Sequence, residues 1–184
     1  MQANIAREND VLTCGDLPPS ALEKLFSPFG LQVIRVADGG AISGSHWGAP
    51  EAGLLKDGLY LRRDTPVHSA LHEGCHWIAM DDARRSGLDT DAGGDDLEEC
   101  GVCYLQILLA DHLPGVGRKR LCQDMDTWGY SFRLGSTRAW FEGDASDARG
   151  WLRAEGLIDE EGRPTWRRRR GSADPTAPKS RCAP

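Results

Sequence analysis

The chain lacks any run of about 18 apolar residues, the length a helix needs to cross a bilayer, so no membrane span is expected. Its first ten residues hold no basic region followed by an apolar core, so a secretory signal is not expected either. The six cysteines (14, 75, 100, 103, 122 and 182) fall without the spacing of a disulfide scaffold. Reduced thiols and a cytoplasmic location are the matching expectation. No internal repeat and no long linker interrupts the sequence. What remains is 184 residues, 40% hydrophobic, enough for one domain with a substantial core.

Basic charge is scarce over most of the chain. Of 22 basic and 28 acidic side chains, seven and one lie in residues 163–184, which leaves 15 and 27 in residues 1–162. A body of net charge −12 repels nucleic acid, so such a partner is not expected for it. Residues 163–184 concentrate arginine at Arg167 to Arg170 and continue with Gly, Ser, Pro and Thr. That composition predicts a disordered basic tail on a single 1–162 domain. Docking of the tail on the acidic body, or contact with nucleic acid, is the alternative.

Residues 71–77 read Leu-His-Glu-Gly-Cys-His-Trp, so His72, Glu73 and His76 spell HExxH. At i, i+4 on a helix, two histidines have Cβ atoms ~5–6 Å apart. Both imidazoles can then hold one Zn²⁺ at roughly 2.0–2.1 Å. Glu73, about 100° further round, can face a metal-bound water as its general base. The pattern requires a helix, and local signals supply one. Thr65 reads as the N-cap, Pro66 suits the first turn, and Arg84-Arg85 before Gly87 mark the end. Val67, Leu71, Cys75, Ile78 and Ala79 form its apolar stripe. Gly74 inside the helix costs ~0.5–1 kcal/mol relative to Ala, so it is read as a point of close approach.

Two histidines and a water leave a tetrahedral zinc one protein ligand short. Residues 95–109 predict a second, centrally buried helix with Glu98 and Glu99 in its first turn. Asp95-x-x-Glu98 also resembles a capping box, so a purely local role competes for Glu98. Cys100 and Cys103 offer a rival ligand set, a closed Cys₂His₂ structural site with His72 and His76. Small buried thiols are the simpler reading of that CxxC.

The stretch from about 62 to 114, close to a third of the chain, resembles the ImmA/IrrE family of zinc-dependent peptidases, a gluzincin-type zincin group. Its pattern is an HExxH helix, then a helix reading Glu-x-x-Ala-Asn-x-Phe-Ala-x-x-Leu-Leu, then a proline. Here Glu98 takes the ligand position, Gly101 the small residue, Tyr104 the aromatic and Leu108-Leu109 the leucine pair, with Pro114 following. Val102, Leu105 and the shifted proline depart from the pattern. The resemblance implies zinc held by His72, His76 and Glu98, with Glu73 as base. It also implies a regulatory protein partner, since these peptidases are typically paired with DNA-binding regulators.

The expected fold is α+β and zincin-like: a small N-terminal twisted sheet on the HExxH helix, then a helical C-terminal half. A short helix behind Ser20, strands at 32–37 and 58–62, and a third strand at Ala41-Ile42 are predicted. By analogy with zincins, an edge strand lines the cleft and can hold an extended peptide. A third helix carries Leu121, Met125, Trp128 and Phe132 on one face, and another, capped by Asp144 or Ser146, runs to Gly156. Tyr104, Tyr130 and Arg133 are candidates for polarising a scissile carbonyl, with Tyr130 ranked first. Asp81 and Asp82 are candidates to hydrogen-bond a ligating imidazole. His68, His46 and His112 are read as structural. The functional expectation is a zinc metallopeptidase acting on a peptide or protein. The alternative is a non-catalytic zinc module for sensing or protein interaction, closed by Cys100 and Cys103.

Overall fold

A computed structural model describes residues 11–171. The predicted residues 1–10 and the stretch 172–184 of the basic tail lie outside the described residues. Three strands and seven α-helices follow one another as helix α1 (Ala21–Phe26), strands β1 (Gln32–Arg35), β2 (Gly53–Leu55) and β3 (Gly58–Leu61), then helices α2 (Val67–Ala79), α3 (Asp82–Ser86), α4 (Asp96–Ala110), α5 (Gly117–Trp128), α6 (Thr137–Gly143) and α7 (Ser146–Ala154). A single 3-10 turn at Ser27–Phe29 links α1 to β1. The protein is thus α+β, with the sheet preceding most of the helices.

The sheet has order β1-β3-β2, with β1 parallel and β2 antiparallel to β3. The strands predicted at 32–37 and 58–62 are present in shortened form. The third strand is Gly53–Leu55, not Ala41-Ile42. Two apolar residues between glycines were too short a signal to distinguish a strand from the loop that Ile42 buries. The outer edge of β2 is already occupied. Leu54 N–H donates to Gly44 O at 3.2 Å, Leu55 bridges Asp89, and Lys56 N–H donates to Leu88 O at 3.3 Å. An extended peptide cannot add to this edge at residues 54–56, so the analogy with an open edge strand fails there.

Helices α2 and α4 form the centre, packed on each other, with α7 and α5 against α4 and β2 and β3 against α2. Nearly all of α2 is buried, as is all of α4 from Gly101 to Ala110. Helix α2 opens one residue later than predicted, with Pro66 as the N-cap. It also ends early, at Ala79. Asp81 caps a separate short helix, accepting from Arg84 N–H at 2.9 Å. The Arg85 guanidinium satisfies the carbonyls left open at the end of α2, at Trp77 and Met80. Arg84-Arg85 therefore end α3, not α2.

Gly74 is where α2 meets Phe26, a fully buried side chain of α1. A Cβ at this position would lie 2.2 Å from the ring. Close approach, as predicted, is the reason for glycine there. Gly101 does the same for Trp151 of α7, at 2.5 Å.

Part of the predicted tail belongs to the body. Ile158 bridges Pro164, Trp166 stacks on Phe29 with ring centroids 5.8 Å apart, and Arg169 N–H donates to Ile78 O at 2.9 Å. Residues 163–171 thus dock on the acidic body, which corrects the boundary at 162. Composition identified the charge but not its partners, the carboxylates of Glu98 and Glu155.

Candidate metal centre

Helical spacing brings the two histidines together as the sequence requires. His72 Nε2 and His76 Nε2 are 3.2 Å apart, with the rings at 89° to each other. The acid that joins them is Glu99, whose oxygens lie 3.1 Å from His72 Nε2 and 3.3 Å from His76 Nε2. Donors 2.0–2.1 Å from a tetrahedral zinc are roughly 3.3 Å from one another. The His72–His76 separation matches that spacing, while the two Glu99 distances run to different carboxylate oxygens. Two imidazoles with one carboxylate are a donor set that zinc accepts, with one donor atom from each residue within 4.8 Å of the others. This is the one group of three or more potential metal donors among the described residues.

Glu98 is elsewhere, which corrects the ligand predicted from the resemblance. Its carboxylate is 4% exposed, 2.7 Å from Arg84 Nη1 and 3.0 Å from Arg169 Nη1. Its backbone N–H donates to the Asp95 carboxylate at 2.8 Å, so the N-cap half of the expected capping box forms, but its side chain does not return to the Asp95 N–H. Neighbouring residues on a helix point about 100° apart, so the turn that sends Glu98 to the arginines sends Glu99 to the histidines. Arg84 and Arg169 together hold Glu98 away from the histidines, and no spacing rule contains either contact. Nor do the thiols join the group. Cys100 and Cys103 stand outside it, although Cys103 Sγ lies 3.9 Å from Glu99 Oε1.

The environment sets the protonation of these groups. Burial works against ionised Glu99, but hydrogen bonds to His72 and His76 overcome it and hold the carboxyl well below the usual range. Burial likewise works against a charged His72, yet Tyr130, Cys103 and Glu99 outweigh it and keep the ring well above its ordinary value. Gln106, which sequence reasoning missed, faces the other side of that ring, with Oε1 2.9 Å from His72 Nδ1. With a metal bound, a proton on Nδ1 donated to this oxygen would leave the Nε2 lone pair free for the ion. Gln106 in turn donates to Met125 Sδ at 3.0 Å. A polar residue at the centre of an apolar helix was the available signal.

His72, Glu73, His76 and Glu99 border a cavity of about 750 Å³. Burial raises the Glu73 carboxyl despite the opposing pull of His76 and His72. Tyr130 lines the same cavity, and burial lifts its hydroxyl to about 12. The third helix does not run on to Phe132. It stops at Trp128, Gly129 takes φ 105°, and Tyr130 N–H closes back on Met125 O at 3.0 Å. That left-handed turn carries the chain away from the helix axis and brings Tyr130 to the cavity.

The remaining candidates fall outside. Tyr104 stacks on Phe141, and Arg133 pairs with Asp144. Asp81 caps α3 and Asp82 pairs with Arg85, so neither reaches a ligating imidazole. His112 packs on Trp166. His68 is buried between Trp128 and Tyr130, with burial pushing it down to about 3. His46 was read as structural but borders the cavity beside Trp47, and Glu51 on the same wall was also missed.

Comparison with protein-family models, with curated proteins and with solved structures gives no match for this chain. The likeness to ImmA/IrrE peptidases thus rests on the motif residues alone. Among the described residues no helix is long and apolar enough to cross a membrane.

Proposed function

We propose that this chain is a zinc-dependent metallopeptidase with a zincin-like fold, its metal held by His72, His76 and Glu99. One observation carries this reading: two imidazoles and a carboxylate able to hold one metal ion border the same cavity as Glu73, an acid with no hydrogen bond or ion pair among the described residues. Zinc in that position would supply a Lewis acid that polarises a carbonyl and acidifies water. Glu73, its proton affinity increased by burial, takes a proton from the attacking water and delivers it to the leaving amine. Tyr130 stays protonated at neutral pH and offers a hydrogen bond to the oxyanion. Gln106 fixes the tautomer of His72. A closed structural site would leave Glu73 without a role, which favours hydrolysis over a sensing module. The substrate is then a peptide or protein. A regulatory protein partner and a cytoplasmic setting belong to the same reading.

The test is metal analysis of the purified protein together with peptide-cleavage assays on wild type and Glu73→Gln. One zinc per chain in both proteins, with cleavage lost in the variant, is expected. Absence of stoichiometric zinc, or a variant as active as wild type, overturns the reading.

A further inference from the structure

Glu51 is the cavity carboxylate that the proposed chemistry leaves unused. Its two oxygens are held by neutral donors, Ser69 Oγ at 2.9 Å and Trp128 Nε1 at 3.0 Å. Ser69 is itself fixed, accepting from Ala52 N–H at 2.9 Å. These contacts orient the carboxylate without cancelling its charge, and each oxygen retains acceptor capacity. No lysine or arginine lines the cavity, and no ion pair to Glu51 forms among the described residues. Asp91 adds negative charge on the loop between α3 and α4, but it shares the field of Arg84. A zinc dication, if bound, would be balanced by Glu99 and Glu73. Glu51 is left as the uncompensated anion.

The aromatic residues around it fit the same kind of ligand. Trp47 is 80% exposed at the cavity, an unusual position for a side chain this large. Trp128 is pinned as a wall by its bond to Glu51. Indole faces attract cations, and arginine most often. The occupied edge of β2 meanwhile denies a peptide its usual main-chain anchor at residues 54–56.

We propose that the cleft selects peptides carrying a lysine or arginine side chain, which pairs with Glu51 and lies against Trp128 and Trp47. This rests on the metallopeptidase reading, so the experiment separates the two. Short end-blocked peptides that differ only in one central residue (Arg, Lys, Leu or Glu) are titrated into zinc-loaded Glu73→Gln protein, and binding is followed by fluorescence anisotropy. The same peptides are incubated with wild type and the products mapped by mass spectrometry.

The Arg and Lys peptides should bind about tenfold or more tightly than the Leu and Glu peptides. The gap should narrow as salt is added. It should close in a Glu51→Gln background, which keeps an oxygen acceptor for Trp128, with zinc content and circular dichroism confirming that the variant is folded. Equal or tighter binding of the Leu or Glu peptide overturns the proposal, as does a preference unchanged by Glu51→Gln. Selective binding without cleavage by wild type sinks the peptidase reading and upholds the selectivity. Cleavage indifferent to the central residue does the reverse.

Discussion

His72 Nδ1 and Gln106 Oε1 lie 2.9 Å apart, joining α2 to the middle of α4 behind the metal-facing nitrogen. A ligating imidazole held this way has its tautomer and ring orientation set before metal arrives. Replacing Gln106 with Leu should weaken zinc binding by about 10–100-fold. Gln106→Glu should retain most of it. Competition with a chromogenic chelator measures both, and unchanged affinity in Gln106→Leu would remove this residue from the account.

Adjacent acids on α4 should behave oppositely. Glu99→Ala is expected to lose zinc while keeping the fold, because that side chain is 49% exposed and no arginine depends on it. Glu98→Ala should keep its ligands but leave two arginine side chains without their shared buried anion, at about 3–5 kcal/mol. Metal content and urea denaturation, read side by side, distinguish the two. Zinc lost from Glu98→Ala at full stability would restore the ligand set implied by the family resemblance.

Gly74→Ala sets two effects against each other. Helix propensity favours the change by ~0.5–1 kcal/mol. The new methyl carbon, however, would sit 2.2 Å from a ring that is fully buried and has no room to retreat. Overpacking should win, with a net loss of about 1–3 kcal/mol. Adding Phe26→Leu should recover part of that loss in a double-mutant cycle. Independent, additive effects would contradict the contact.

Metal uptake should release protons. In the metal-free protein burial opposes a charged His72, but Tyr130, Cys103 and Glu99 outweigh it and raise the ring well above its ordinary value. Because the His72 pKa is raised, the ring is charged below that raised value, and zinc must displace its proton. Affinity therefore falls as pH drops through that raised value, and zinc binding below it should release protons. Calorimetry in two buffers of different ionisation enthalpy reads this directly, and identical heats in both would contradict it.

The HExxH helix, the central second helix and the N-cap at Asp95 were legible because each is written in local sequence. The close approach at Gly74 was legible because glycine inside a helix needs a reason. The choice between Glu98 and Glu99 was not. It depends on Arg84 and Arg169, 14 and 71 residues away from Glu98 in sequence, and two adjacent carboxylates look alike until something occupies one of them. Helix α6 was missed because Thr137–Gly143 is a short segment whose buried side chains are Thr137 and Trp140 alone. Its Ser136 cap, accepting from Ala139 N–H at 3.2 Å, was the available clue. Tyr130 was ranked first among the oxyanion candidates on the assumption that the third helix packs near the site. A turn after that helix is what delivers it.

The docking of residues 163–171 has a practical corollary for anyone shortening this polypeptide. Trimming ahead of position 168 looks harmless on composition, since it removes mostly polar, arginine-rich sequence. It would nonetheless strip Glu98 of one of its two guanidinium partners and uncover Trp77, over which Arg168 lies with its guanidinium carbon 5.7 Å from the ring centre. A truncated protein with poor metal uptake would then report the missing clasp, and its behaviour should not be charged against His72, His76 or Glu99.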